Sequence, residues 1–252
     1  LNFGVDIPPK FQDEFFPVIC TFAEELQDVP FDIPENKGIR WNNGMFGVMD
    51  SSVYYSMIRH FQPGTILEIG SGFSTLFASK AAEKNRTTLV ECIEPYPVEF
   101  FNKHLIGMSQ ISLTVEVVQN TPIERFLKLK ANDILFIDSS HVIKCGSDVE
   151  YLIFQVLPAL SAGVIVHFHD IYLPFSYPRT NLENHKRFWN ENYVLGAFLA
   201  NNTAWDVLIS NCTLSTEDNL TALCDRIAGS DGALFKKLHA ISAGGSLYIQ
   251  KK

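Results

Sequence analysis

No pair of cysteines in this chain stands in a C-x-x-C spacing; the five, Cys20, Cys92, Cys145, Cys212 and Cys224, are scattered. That pattern offers neither a thiolate zinc site nor a disulfide framework, and reduced free thiols are expected. Positive charge is short as well. With 20 Lys and Arg against 28 Asp and Glu the formal net charge is -8, whereas chains that track phosphates gather Lys and Arg into a net positive face. No nucleic-acid partner is expected; a small-molecule substrate fits better. No apolar run reaches the roughly 18 residues that cross a bilayer, and the first residues lack the basic-then-apolar pattern of a secretory leader. No membrane partner is expected, and the expected compartment is the cytoplasm.

What is present is enough apolar material, 46% of 252 residues, for one substantial core. From residue 65 onward short apolar runs alternate with helix-like stretches. The runs are 65–70, 88–94, 113–118, 133–138 and 163–170, and two closing strands are expected at 205–211 and 245–251. Helices are expected near 74–84, 97–106, 121–129, 147–160 and 187–201, after earlier ones near 12–27 and 50–61. The second of these takes Asp50 or Ser51 as N-cap and stops at Pro63-Gly64. Continuously apolar strands separated by helices indicate βα units on a parallel sheet covered on both faces. The expected fold is therefore α/β: a doubly wound, Rossmann-like, seven-stranded sheet, mostly parallel with an antiparallel last strand. No internal repeat or low-complexity linker interrupts it. One domain is expected, with residues 1–60 as an arm and lid and 61–252 as the α/β core.

The first strand runs into Leu67-Glu-Ile-Gly-Ser-Gly-Phe-Ser-Thr75. Gly70 and Gly72 permit a sharp turn and close approach of backbone to a ligand, and the following helix presents unpaired N–H groups. Glu68 sits inside the strand end, where a carboxylate is costly unless it meets a partner. Glu94 closes the next apolar run, where nucleotide-binding α/β folds grip a ribose.

This E-x-G-x-G at 68–72, with Glu94 about two dozen residues on, resembles the cofactor signature of class I S-adenosylmethionine methyltransferases. The resemblance implies that Glu68, Gly70, Ser71, Gly72 and Ser74 surround the amino-acid end of S-adenosylmethionine. It places Glu94 on the ribose hydroxyls and Asn120 beside adenine, although a turn-forming Asn before Pro122 reads equally well. The departure from the family pattern is Ser74, which stands where a third glycine is common. A nicotinamide-type G-x-G-x-x-G would need a glycine at Thr75.

Two further segments, Phe136-Ile-Asp-Ser-Ser-His141 and His167-Phe-His-Asp-Ile171, end the fourth and fifth strands. Strands in those positions lie side by side, and ligands collect beyond their carboxyl ends. Asp138 and Asp170 then share a crevice. Two carboxylates about 5 Å apart repel by roughly 3 kcal/mol at an effective dielectric near 20, so a proton or cation between them is required. Oxygen ligands with an open position suit magnesium or calcium better than zinc, with manganese a further candidate. The pattern resembles the metal-dependent macrolide-sugar and catechol-type O-methyltransferases. That likeness implies Asp138 and Asp170 as metal ligands and His141 with Asp138 as catalytic groups, His141 being the base; the imidazole of His169 or His141 is a candidate further ligand. Here His169 stands where the sugar enzymes carry an acid. Within the same resemblance, Trp189 to Phe198 is similar to a segment of uncharacterised bacterial members. Trp41, Phe46, Tyr54, Tyr172 and Phe175 are candidate lid aromatics. The expected function is methyl transfer from S-adenosylmethionine to a small-molecule hydroxyl, assisted by Mg2+. The competing classes are an enzyme using NAD or a nucleotide sugar and a non-catalytic protein that binds the same methyl donor.

Overall fold

The computed structural model describes residues 4–33, 38–98 and 110–252. Seven strands form one sheet: β1 (Thr65–Ile69), β2 (Leu89–Ile93), β3 (Ile111–Thr114), β4 (Ile134–Ile137), β5 (Ile165–His169), β6 (Trp205–Ser210) and β7 (Ser246–Lys251). Their order across the sheet is β3-β2-β1-β4-β5-β7-β6. Neighbours pair in parallel from β3 to β5, and β7 is antiparallel to both β5 and β6, as expected for the last strand.

Although the strands read as unbroken apolar runs, their side chains alternate between two cores, because successive residues point to opposite faces. Ile66, Val90, Cys92, Ile134, Phe136, Ile165 and Tyr248 belong to one core. Leu67, Ile69, Ile93, Leu135, Ile137, Val166 and Ile249 belong to the other. Over the first face lie α1 (Pro9–Ala23), α2 (Val48–Phe61) and α3 (Phe73–Asn85), through residues such as Ile19, Met57 and Phe77. Over the second lie the helical stretches Asp148–Tyr151, Leu152–Val156 and Leu157–Ala159, together with α4 (Glu191–Leu199). The stretch between β6 and β7, unreadable in sequence beyond residue 212, supplies α5 (Glu217–Ala228) and α6 (Gly232–His239), whose Leu223, Ile227 and Leu238 complete the first core beside α1.

Three expectations need correction. The third strand is Ile111–Thr114 rather than 113–118. It is an edge strand paired only to β2, and a turn over Val118–Asn120 ahead of Pro122 draws the chain out of the sheet, leaving Val115 and Val117 at the surface. The N-cap of α2 is Gly47, not Asp50 or Ser51. The amides of Val48 and Met49 reach the carbonyls of Ile241 and Ser242 instead of a capping side chain, so a distant loop satisfies the groups a cap would meet. The helix expected at 121–129 is a single turn, Ile123–Phe126. The one expected at 97–106 falls largely outside the described residues. Helix α2 is packed into the body of the fold rather than over it; the parts of the arm that reach the crevice are the loop 41–47 and Asp50 in the first turn of α2.

Candidate functional site

Strands β1, β4 and β5 lie side by side, and the order of connection reverses between β1 and β4, which opens a crevice beyond their carboxyl ends. A cavity of about 950 Å³ occupies it. Its walls include Ser71, Gly72, Ser74, Asp138, His141, His169 and Asp170, so the glycine turn and both strand-end acids converge there.

Gly70 has φ +106°, and a Cβ on it would stand 2.9 Å from the carbonyl oxygen of Asp138. The glycine is thus required by close approach of two strand ends, which the Asp138 amide reinforces by donating to the Ile69 carbonyl at 2.9 Å. Gly72 is extended, with open space where a Cβ would be. Two wall residues in this half, Ser71 and Trp41, keep a buried Oγ and Nε1 without a protein partner, and such groups normally find one.

Glu68 is fully buried and meets the partner its position demands. Tyr54 donates its hydroxyl at 2.9 Å, Thr75 donates a second, and the Cys92 thiol lies at 3.7 Å. Burial nonetheless pushes the carboxyl up to about 7 against those stabilising bonds. Thr75 also accepts from the Gly72 amide, so Glu68 holds the shape of the turn rather than lining the cavity. Glu94 and Asn120 are not among the wall residues. One Glu94 oxygen accepts from the Tyr96 amide at 2.7 Å. Asn120 is exposed and closes the turn before Pro122, which is the turn-forming alternative.

Asp138 and Asp170 face the cavity with 41% and 23% of their side chains exposed. His141 stands between them, its Nε2 3.3 Å from Asp138 and 3.8 Å from Asp170. Its Nδ1 lies 2.9 Å from Glu191, the buried first residue of α4. His141 and Asp170 both adopt left-handed backbone, φ +59° and +55°, uncommon for residues with a Cβ and here the means of turning both side chains toward one point. The amides of Asn190 and Glu191 donate to the His141 carbonyl, docking α4 against it. Burial pushes the imidazole down, but Asp138 and Glu191 on either side outweigh it and raise it to about 10. Burial pushes Asp138 up, yet the hydrogen bond from His141 and the neighbouring histidine charges hold it below the usual carboxylate range.

The three expected ligands, Asp138, Asp170 and His169, are not brought together as one metal-holding group. His141 stands in the gap between the two carboxylates, where an imidazolium offsets their charge. His169 is not free to ligate: Nδ1 lies 3.2 Å from Ser246 Oγ and Nε2 3.2 Å from the Met45 carbonyl. Among the described residues no group of three or more His, Cys, Asp or Glu is placed to hold a metal ion. His167 packs in the core against Tyr248, Phe136 and Tyr54. Of the candidate lid aromatics Trp41, Phe46 and Tyr172 line the cavity, while Tyr54 lies buried beneath it and Phe175 faces outward.

Sequence reasoning missed Glu191, Trp189, Arg187 and Asp50. An acid opening a helix ordinarily reads as a complement to the helix dipole, and nothing local to Glu191 signals a partner 50 residues earlier. Asp50 accepts from Asn211 and from the Gly245 amide, contacts whose only local trace was a misleading resemblance to an N-cap.

A family model described as "Methyltransferase domain" matches residues 67–171. An uncharacterized protein of Archaeoglobus fulgidus is 32% identical over 136 residues, which are 52% of this chain and 61% of that relative. Among solved structures, the chain is similar to the O-methyltransferase TomG of Streptomyces achromogenes, involved in tomaymycin synthesis and solved with SAM: 12% identity, TM-score 0.48, over 98% of this chain and 92% of that one. An O-methyltransferase of Bacillus cereus solved with SAH is also similar, at 9% identity and TM-score 0.47, over 95% and 91%. From the middle of β1 to just beyond β5, the matched family model makes the chain similar to a methyltransferase domain, the class that its glycine turn and strand-end acids resemble.

Proposed function

We propose that this chain transfers a methyl group from S-adenosylmethionine to a hydroxyl oxygen of a small molecule, without a metal. The observation that carries it is one cavity walled on one side by the Ser71–Ser74 turn and on the other by Asp138, His141 and Asp170. The donor, when bound, supplies a sulfonium methyl, a good electrophile. What remains for the protein is to align the acceptor with it and take the acceptor's proton.

The turn at Gly70–Gly72, kept open by glycine and braced by Glu68 and Thr75, offers backbone and the Ser71 hydroxyl to the amino-acid end of the donor; Trp41 Nε1 offers another donor group. Glu94, at the end of β2, has an oxygen with no partner among the described residues and is the candidate for the ribose. On the other side Asp138 and Asp170 accept hydrogen bonds from the acceptor, and His141 takes the proton at Nε2. Asp138 and Glu191 orient the ring and make it a strong base once its resting proton has passed to bulk water, which reaches the exposed Asp138 carboxylate, a role of about 10² to 10⁴ in rate. Single-domain organisation, with loop 41–47 as the lid, belongs to the same proposal.

Calorimetry with S-adenosylhomocysteine and with NAD tests the central step. Binding of the former with no binding of the latter is expected, and Gly72→Val is expected to abolish it by filling the open space at the turn. Tight NAD binding with none of S-adenosylhomocysteine would remove the methyltransferase reading.

A further inference from the structure

Arg187 is the only Lys or Arg among the described residues that wall the cavity. It makes no ion pair among the described residues, although this chain carries net charge -8 and three carboxylates, Asp50, Asp138 and Asp170, line the same space. Its guanidinium lies over the Trp189 indole, Cζ 4.7 Å from the ring centre. Stacking uses the face of the guanidinium and leaves the forked N–H edges free, the geometry that matches carboxylate and phosphate oxygens.

Beside it stands Asn181, only 7% exposed, in the cavity wall, with a side-chain Nδ2 that has no partner. The two are tied together, because the Arg187 amide donates to the Asn181 carbonyl at 2.8 Å. A cation and a buried amide donor, both without an acceptor among the described residues, describe the complement of an anion. The indole that carries Arg187 also touches the imidazole of His141, ring centres 4.3 Å apart. An anionic group at Arg187 therefore lays the rest of a small molecule along Trp189, toward His141 and the strand-end acids. Arg187 enters from the segment after β5, whereas Gly72 and Ser74 enter from the turn after β1, so the anion belongs to the acceptor rather than to the methyl donor.

We infer that the acceptor is a small hydroxy compound bearing an anionic group, carboxylate or phosphate, gripped by Arg187 and Asn181 while its hydroxyl faces His141. This rests on the methyl-transfer reading of the same cavity. The test titrates the full chain, saturated with S-adenosylhomocysteine, with 3,4-dihydroxybenzoate, with its neutral amide and with phenyl phosphate. At least one of the two anions is expected to bind tighter than the amide, and which of them does so separates carboxylate from phosphate. Arg187→Ala is expected to weaken that anion roughly ten- to a hundredfold, the range for a charge-assisted hydrogen bond. Arg187→Lys should fall between, having charge without the fork, and S-adenosylhomocysteine should bind all three proteins alike. Since Arg187 is exposed, neither variant threatens the fold. Equal binding of amide and anions, no binding of either anion, or anion binding unchanged in Arg187→Ala overturns the inference. So does a loss confined to S-adenosylhomocysteine, which would assign Arg187 to the donor. Failure of the unaltered chain to bind S-adenosylhomocysteine sinks the underlying reading instead.

Discussion

Glu68 shows how much one buried carboxyl can weigh. With its carboxyl raised from 4.5 to about 7 by burial, the folded chain keeps a proton that the unfolded chain releases as pH rises. Below about 4.5 both states are protonated and nothing is lost. Stability then falls between 4.5 and 7, by on the order of 3 kcal/mol in full, and stays reduced above. Glu68→Gln, neutral throughout, should flatten this dependence whatever its absolute stability, since it loses one acceptor for Tyr54 or Thr75. Urea midpoints of both proteins at pH 5 and 8 check it, and parallel declines would show that Glu68 is not the cause. His141 argues the opposite sign. Its proton is held up to about 10 by Asp138 and Glu191, so the base form grows as pH rises toward that value. The prediction is a kcat/KM that climbs about tenfold per pH unit through neutrality and levels near 10; a plateau beginning near 6.5 would mean an unclamped imidazole. His141→Ala should lose the climb along with the rate.

At the scale of elements, β4 and β5 deliver two acids to one edge, and the sequence placed them there through strand periodicity and a topological rule. What it did not place was the third party. Helix α4 brings Glu191 against His141, and β7 brings Ser246 against His169. Both contacts bear on the chemistry: one holds His141 between the acids, the other gives His169 Nδ1 a neighbour in Ser246. The outcome expected of exhaustive chelation followed by gel filtration is therefore an unchanged rate. Loss of activity restored by Mg2+ would return Asp138 and Asp170 to the role of metal ligands. The same contrast holds for boundaries. Strands buried on both faces were legible because two cores demand apolar residues of both parities. The edge strand β3 was misplaced because an edge has one partner and its end is decided by a turn.

For the molecule as a whole, two cores flank one sheet, and the segments farthest apart in sequence meet on the same face. Gln12 of α1 reaches Thr213, and Arg226 of α5 reaches Glu24. That is why sequence reasoning could not say where the arm's first helix docks and suggested no element between residues 212 and 244: amphipathic helices show a period but not a destination. By itself the sequence determined the parallel strands of the sheet, the glycine turn and the two strand-end acids, because each is written in neighbours one to six residues apart. Only the tertiary structure decided which groups stand opposite them. The pairs His141 with Glu191, His169 with Ser246 and Asp50 with Asn211 are 50, 77 and 161 residues apart. Contacts across such separations depend on where whole elements dock, and leave no local pattern in the chain.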